Sequence, residues 1–540
     1  MFFTQAGKKT ERTATVSDSS PTLKPAKRCW DVICLGSGMG SLAAAAALAK
    51  CGRSVLVLEA HSQLGGMTHT FKRKGMCWGT GFHYTSWPTA YKTDFPELWH
   101  ILTGGKAEWS KLPDNAENYI RPDGSTFVKY APRERYRDEL YSAFPDERQA
   151  IDRYFHDLRE ISGAFERFSP LQALPPMLER CGLGWWLGRR FLAMDCLPLT
   201  RYMDQIGASE QLRDHLWFTW GNYGGIPSDT SIGSHSIPQE YMLDGHRMLT
   251  HGSQSAAPAF AATITAAGGE LRRNSRVTGL IFEGGRVVGV KVNDEEIRGR
   301  AVMSGIGPRE TYRLLVPPER RPAHAERIMA MRPSCSIYTI YLALDRQVIE
   351  RYGLTGVNYF AEFQSGGIRQ HWTDLDAPPP WAMLSMAGRF HSQPPDPNVI
   401  LADMFLTLSA EQFVRWQGTR VMKRGEQYDQ LKAQMNERVF AEMERFWPGF
   451  RQHIRYAESS TPLTIEAYTN HFDGAAYGIA PFPGRYSERA LRVLSGIPGL
   501  LLTGQDVITP SVIGAFYGGV TSASALMRRN LRSVLARKGA

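Results

Sequence analysis

The chain is poor in cysteine and has no two cysteines at ligand or redox spacing. Seven stand at 29, 34, 51, 77, 181, 196 and 335 among 540 residues, with no C-x-x-C pair. This excludes a zinc ribbon or a dithiol redox motif and predicts a reduced, intracellular protein without structural disulfides. No stretch offers 18 uninterrupted apolar residues, so no spanning helix is expected. Basic residues outnumber acidic ones, 63 to 53, but they are scattered. Without a Lys/Arg block interleaved with aromatics, the net charge of +10 does not point to nucleic acid. Residues 1–30 are polar and lack the apolar centre of a signal peptide, which predicts a mobile tail. What remains is a globular composition, 43% hydrophobic and 21% charged, in a chain long enough for two or three domains.

The most informative stretch is residues 31–66. Residues 31–35 form an apolar run suited to a buried strand, followed at once by Gly36, Gly38 and Gly40. Glycines there permit a tight turn and let backbone N–H groups approach a pyrophosphate. Residues 42–50 are an alanine-rich helix, with Gly52 as its stop signal. The N-terminus of such a helix carries unpaired N–H groups and partial positive charge. Residues 54–58 give a second strand, and Glu59 ends it at the distance where a carboxylate accepts ribose hydroxyls. Ser41 stands at the third glycine position and loosens the strict pattern, but strand, helix and acid together specify a dinucleotide site. The pair Gly65-Gly66 adds a further loop of the kind that touches the pyrophosphate of FAD rather than NAD.

Farther along, residues 70–87 read as a loop or hairpin and residues 95–215 as largely helical, broken by prolines at 170, 175, 176 and 198. Residues 256–267 read as a helix ended by Gly268-Gly269, then a strand near 270–271. Residues 276–281 and 287–292 flank a Gly284-Gly285 turn, a hairpin signal. Residues 301–304 close that layer, 336–344 read as a strand, 426–446 as a charged helix and 499–503 as a strand. Gly514 opens the last long helix, toward Asn530. The predicted division is a mobile tail at 1–30, nucleotide-binding pieces at 31–90, 246–310 and 485–530, a mainly helical substrate- and membrane-facing region at 91–245, a substrate domain at 311–484 and a tail at 531–540.

In this order and spacing the chain resembles the phytoene desaturase and retinol saturase family of FAD-dependent oxidoreductases. The anchors are the 36–66 unit, Thr80-Gly81-Phe82-His83-Tyr84, the 252–292 stretch, Thr461-Pro462-Leu463-Thr464, Gly474-Ala475-Ala476-Tyr477-Gly478 and the closing Gly504-Gln505-Asp506 with Gly514-Ala515. Met67-Thr68-His69-Thr70-Phe71 is closer to the retinol-saturase-like branch. The resemblance implies an α/β fold: a discontinuous, glutathione-reductase-type FAD-binding Rossmann domain with an inserted α+β substrate domain. By position, Gly36, Gly38, Met39, Gly40, Glu59 and Ala60 would hold the adenosine and pyrophosphate. Gly65, Gly66 and Met67 would meet the pyrophosphate and ribityl chain, and the Val277 backbone the adenine edge. Gly504 and Asp506 would hold the ribityl region, while Gly514 and Ala515 would aim helix N–H groups at the flavin. Ser304-Gly305-Ile306-Gly307 departs from the Ser-Asn-Ala common in relatives, and His251 from a second glycine.

Side chains alone do not break or form an unactivated C–H bond, so the flavin carries that step. A proton must still enter or leave. His83 and Tyr84, after the Gly81 turn, are the candidates for lining the flavin face and handling it. The predicted reaction is desaturation or saturation of a carbon–carbon bond in a retinoid, carotenoid or unsaturated acyl lipid. A redox-neutral polyene isomerase and a non-catalytic lipid or prenyl-chain carrier are the alternatives; amine oxidation has no aromatic cage in the sequence. No second G-x-G-x-x-G unit follows a strand, so the electron donor or acceptor is external. Trp185, Trp186 and the neighbouring Arg180, Arg189 and Arg190 in residues 165–202 suit either a segment lying on the cytoplasmic face of a membrane and forming an oily gate for the substrate, or a buried helical core with surface arginines.

Overall fold

A computed structural model describes residues 29–86, 94–174, 177–178, 181–391 and 394–539. All but the last two residues of the expected mobile tail, together with Pro175, Pro176 and Arg180, lie outside the described residues.

Two seven-stranded sheets organise the molecule. The first takes strands from three distant parts of the chain. Glu270–Arg272, Val55–Leu58, Trp30–Leu35, Glu295–Ser304 and Leu500–Leu502 run parallel in that order. Apart from the edge strand Glu270–Arg272, their apolar runs are buried almost throughout, as parallel strands covered on both faces must be. Glu295–Ser304 serves two partners along its length. Residues 295–298 pair antiparallel with the hairpin Val277–Glu283 and Arg286–Val292, and residues 299–304 join the parallel strands. Burial pushes the Cys34 thiol in the central strand up to about 12, which makes it inert packing.

Helix Met39–Lys50 lies against helix Val512–Met527, and small residues set their spacing. A Cβ on Gly519 would stand 2.2 Å from the Gly40 carbonyl oxygen. The last long helix begins at Val512, with Ser511 as its N-cap, two residues before the expected Gly514. The expected tail at 531–540 is instead a helix, Leu531–Gly539. Leu531 and Leu535 are buried, and Arg532 donates two hydrogen bonds to the Asp94 carboxylate at 2.6 and 2.7 Å.

The second sheet runs Ile454–Ser460, Ser336–Asp345, Val399–Leu408, Trp381–Ser385, Asn358–Glu362, Glu117–Ile120 and Thr126–Lys129. Its last two strands come from the region expected to be mainly helical. They are only four residues each and carry Asn118 and Lys129, which obscures their strand pattern. Alternation divides the sheet between two environments. Tyr338, Ile340, Leu342 and Leu344 face a core closed by helix Glu426–Phe446, while Ile337, Thr339 and Tyr341 face the cavity between the two sheets. The 70–87 segment contains the hairpin Thr70–Arg73 and Met76–Gly79, turned at Lys74 and Gly75 with positive φ.

Candidate cofactor and active site

One cavity of ≈ 1080 Å³ is lined by every candidate cofactor-binding and catalytic residue named above except Gly514. It begins where the strand Trp30–Leu35 ends. Gly36 adopts φ +79°, a conformation that favours glycine, and its amide donates to the Leu58 carbonyl at 2.8 Å. Gly38 is different: its backbone is ordinary extended (φ −63°, ψ 167°) and, beyond its two chain neighbours, no other residue has an atom within 4 Å of a Cβ placed on it. The protein itself therefore gives no reason for glycine there. An added Cβ would project into the space in front of the helix, where a pyrophosphate belongs. By this criterion the cradle fits FAD.

Glu59 is held by the turn it faces. Its Oε2 accepts from Ser37 N at 2.8 Å and Ser37 Oγ at 2.5 Å, and its Oε1 accepts from His61 N at 2.7 Å. Oε1, which accepts one bond, keeps acceptor capacity for a ribose hydroxyl. Ser37 Oγ also accepts from the Gly65 amide at 3.0 Å, tying the first turn to the second glycine loop. Gly65 and Gly66 have φ +119° and +55°. Sequence reasoning passed over Ser37, because a serine between glycines carries no distinctive pattern.

At the closing strand, Asp506 is buried and its Oδ1 accepts from the Ile479 amide at 2.8 Å. The fully buried Arg485 reaches the Asp506 carbonyl at 3.1 Å and its carboxylate at 3.6 Å. Gly504 has φ +102°. The Gly514 amide donates to Ser511 Oγ at 2.7 Å and that of Ala515 to the Ser511 carbonyl at 2.9 Å. The first-turn amides left over for a ligand are therefore those of Val512 and Ile513, not the expected pair. Glycine at 514 has a packing reason: a Cβ there would meet the Thr509 carbonyl oxygen at 1.9 Å.

Beyond these loops the cavity continues between His83, Tyr84 and the face of the second sheet. Its wall there is Ile337, Phe360, Trp381, Met383 and Phe405. His83 Nδ1 lies 3.5 Å from Asp403 Oδ2, and its ring meets the Phe405 ring edge-on at 5.1 Å. Tyr84 Oη donates to Glu117 Oε1 at 3.0 Å. Burial, then the adjacent Glu117, raises the Tyr84 phenol well above its ordinary range, so it is a proton holder rather than an anion.

No described residue of 165–202 lines the cavity, which removes the expected gate from that segment. The exposed apolar residues on the cavity rim are instead Leu314, Met422 and Tyr468. Helix Leu183–Asp195 carries Trp185 and Trp186, 54% and 55% exposed, on a different part of the surface. Among the described residues no helix is long and apolar enough to cross a membrane.

The family description "Flavin containing amine oxidoreductase" matches residues 42–527. The chain is 28% identical over 537 residues to the human all-trans-retinol 13,14-reductase, covering 94% of this chain and 87% of that protein. It is 24% identical to the chloroplastic prolycopene isomerase of Daucus carota, covering 92% and 80%. Among solved structures, putrescine oxidase bound to putrescine superposes with a TM-score of 0.62 at 15% identity, covering 93% of this chain and 99% of that one.

Proposed function

The chain belongs to the flavin containing amine oxidoreductase family and is an FAD-dependent oxidoreductase, and from that premise we propose that it saturates a carbon–carbon double bond in a long apolar polyene of the retinoid or carotenoid class. The observation that carries this reading is the join between two compartments. The glycine loops at 36–40, 65–66 and 504 open into a chamber walled by Phe360, Trp381, Met383 and Phe405. Burying a polyene there contributes about 0.8 kcal/mol per CH₂-sized unit. Similarity to retinol 13,14-reductases over nearly the whole chain supports saturation as the direction.

Bound FAD supplies hydride chemistry at its ring system. The chain's own residues do the rest. The turn at 36–40 and the helix behind it take the pyrophosphate, Glu59 the ribose, and the Val512 and Ile513 amides negative charge near the ring. The aromatic wall orients the polyene and excludes water. His83 and Tyr84 hold the proton that the second carbon requires.

The exposed Trp185, Trp186 and Leu187, with Arg189 lying 5.0 Å over the Trp186 ring, support peripheral contact with an anionic membrane surface, from which such a substrate is drawn. The electron donor is external to the chain. Comparison of lipid extracts from host cells with and without the protein tests the substrate class. An apolar polyene replaced by its dihydro product supports the reading. A product of unchanged mass and altered double-bond geometry identifies a polyene isomerase instead, the activity named for the carrot relative.

A further inference from the structure

The register of the second sheet sets six buried polar side chains in one line. Tyr341 pairs with Asp403, Asp403 with Ser385, Ser385 with Asn358, Asn358 with Glu117, and Glu117 with Lys129. All are buried. The parallel line two residues along is Thr339, Phe405, Met383, Phe360, Tyr119 and Phe127, which is predominantly apolar. A sheet face able to carry the second line does not need the first for stability, because a buried carboxyl costs free energy that an apolar side chain does not.

The two residues that follow the Gly81 turn sit on two positions of this polar line. His83 Nδ1 lies 3.5 Å from Asp403, and Tyr84 donates to Glu117. Glu117 Oε1 is shared further, with Asn358 Nδ2 at 3.3 Å and His246 Nε2 at 3.2 Å. Lys129, lowered to about 8 by burial, stands beside Glu117 and donates to Gln239. The carboxyl of Asp403 is pushed well above the ordinary carboxylate range by burial. Facing the His83–Asp403 pair are therefore Tyr341 from one neighbouring strand, Ser385 from the other and, farther along the line, the Glu117, His246 and Lys129 group.

We propose that Asp403 is a positioning residue that shares one proton with His83 Nδ1, so that the pair keeps a proton available for delivery from His83 Nε2. This rests on the saturation reading. A hydride reaching one alkene carbon moves the π electron pair onto the other carbon. That carbon then takes the proton from His83 Nε2, leaving a neutral imidazole whose Nδ1–H stays on the Asp403 carboxylate. The pair regains one proton from solvent after product leaves.

The test uses histidine-labelled holoenzyme and nitrogen–proton correlation spectra across a pH series, with the His83 signals identified by their loss in His83→Gln. In wild type the His83 ring titrates about one pH unit or more above its midpoint in Asp403→Asn. The acid–base limb of the turnover rate moves by the same amount, with KM unchanged. An unaltered midpoint in Asp403→Asn overturns the proposal. If that variant does not retain FAD, the wild-type spectrum decides. An exchange-protected, downfield Nδ1–H resonance that disappears in His83→Gln supports proton sharing, and absence of that resonance overturns it. The ring titration needs no substrate, so it stands or falls separately from the saturation reading, which fails when no substrate gains hydrogen.

Discussion

Ser41 Oγ occupies the space that a side chain on Gly305 would need: a Cβ built on Gly305 stands 2.1 Å from that oxygen. Two departures from the family pattern, 264 positions apart, thus form one contact. The hydroxyl is buried and donates to the Leu35 carbonyl at 3.2 Å. Gly305→Ala should therefore destabilise the protein by about 1–3 kcal/mol in urea unfolding. Adding Ser41→Gly should recover most of that loss, giving a coupling of about 1 kcal/mol or more. Additive effects would show that the two residues do not share the space.

Gly38 and Gly40 are predicted to behave oppositely. Gly38 has open space before it, so Gly38→Ala should leave the flavin-free protein as stable as wild type, or more so by about 0.4–1 kcal/mol through reduced freedom of the unfolded chain. It should weaken FAD retention at least tenfold, read by flavin absorbance after gel filtration. A Cβ on Gly40 would stand 2.6 Å from Gly504 Cα. Gly40→Ala should therefore cost about 1–3 kcal/mol even without FAD.

Asp195 predicts a pH dependence of stability. Its carboxyl is fully buried, accepts from the Tyr486 amide at 2.8 Å, and is pushed up to about 7, chiefly by burial. The folded chain thus keeps a proton that the unfolded chain gives up near pH 4. Its contribution to stability is full below pH 4, falls as the pH rises toward 7 and is level above. Between pH 5 and pH 8, wild type should lose about 2–4 kcal/mol relative to Asp195→Asn in urea unfolding. Any pH-independent change in the contact with Tyr486 cancels in that comparison. A difference between the two proteins that does not change with pH would contradict the raised carboxyl.

The surface tryptophans give a separable prediction. Trp185→Ala with Trp186→Ala should reduce cosedimentation with anionic phosphatidylglycerol vesicles at least fivefold, and high salt should weaken wild-type binding. FAD content should not change, since neither residue lines the cavity. Undiminished vesicle binding in the double variant would remove this helix as the contact.

The flavin half of the molecule was legible because its constraints are local. Gly36, Gly38 and Gly40, the helix at 39–50 and Glu59 lie within one short unit, and the strands at 270, 277–292 and 500 have apolar runs bounded by turn glycines. The substrate half was read less well. The strands Glu117–Ile120 and Thr126–Lys129 are short and carry buried charge, so their pattern is that of a loop until five other strands are placed beside them. Asp403 is one acid in an apolar strand, and only the register with Ser385 and Tyr341 brings it to His83. The helix start was displaced by two residues because Gly514 resembles a cofactor glycine, while the cap is Ser511. An oily gate on the tryptophans of helix Leu183–Asp195 is what the local composition suggests, whereas Leu314, Met422 and Tyr468 reach the rim only through tertiary packing.

The most direct test is mass analysis of product after a single turnover of purified, FAD-loaded protein, reduced without oxygen and mixed with an all-trans polyene in D₂O. Saturation predicts a product carrying two added hydrogens, at least one of them deuterium taken from solvent through the proton-holding residues, with the flavin reoxidised in equal amount. Recovery of the polyene at its original mass, with the flavin still reduced, would contradict it.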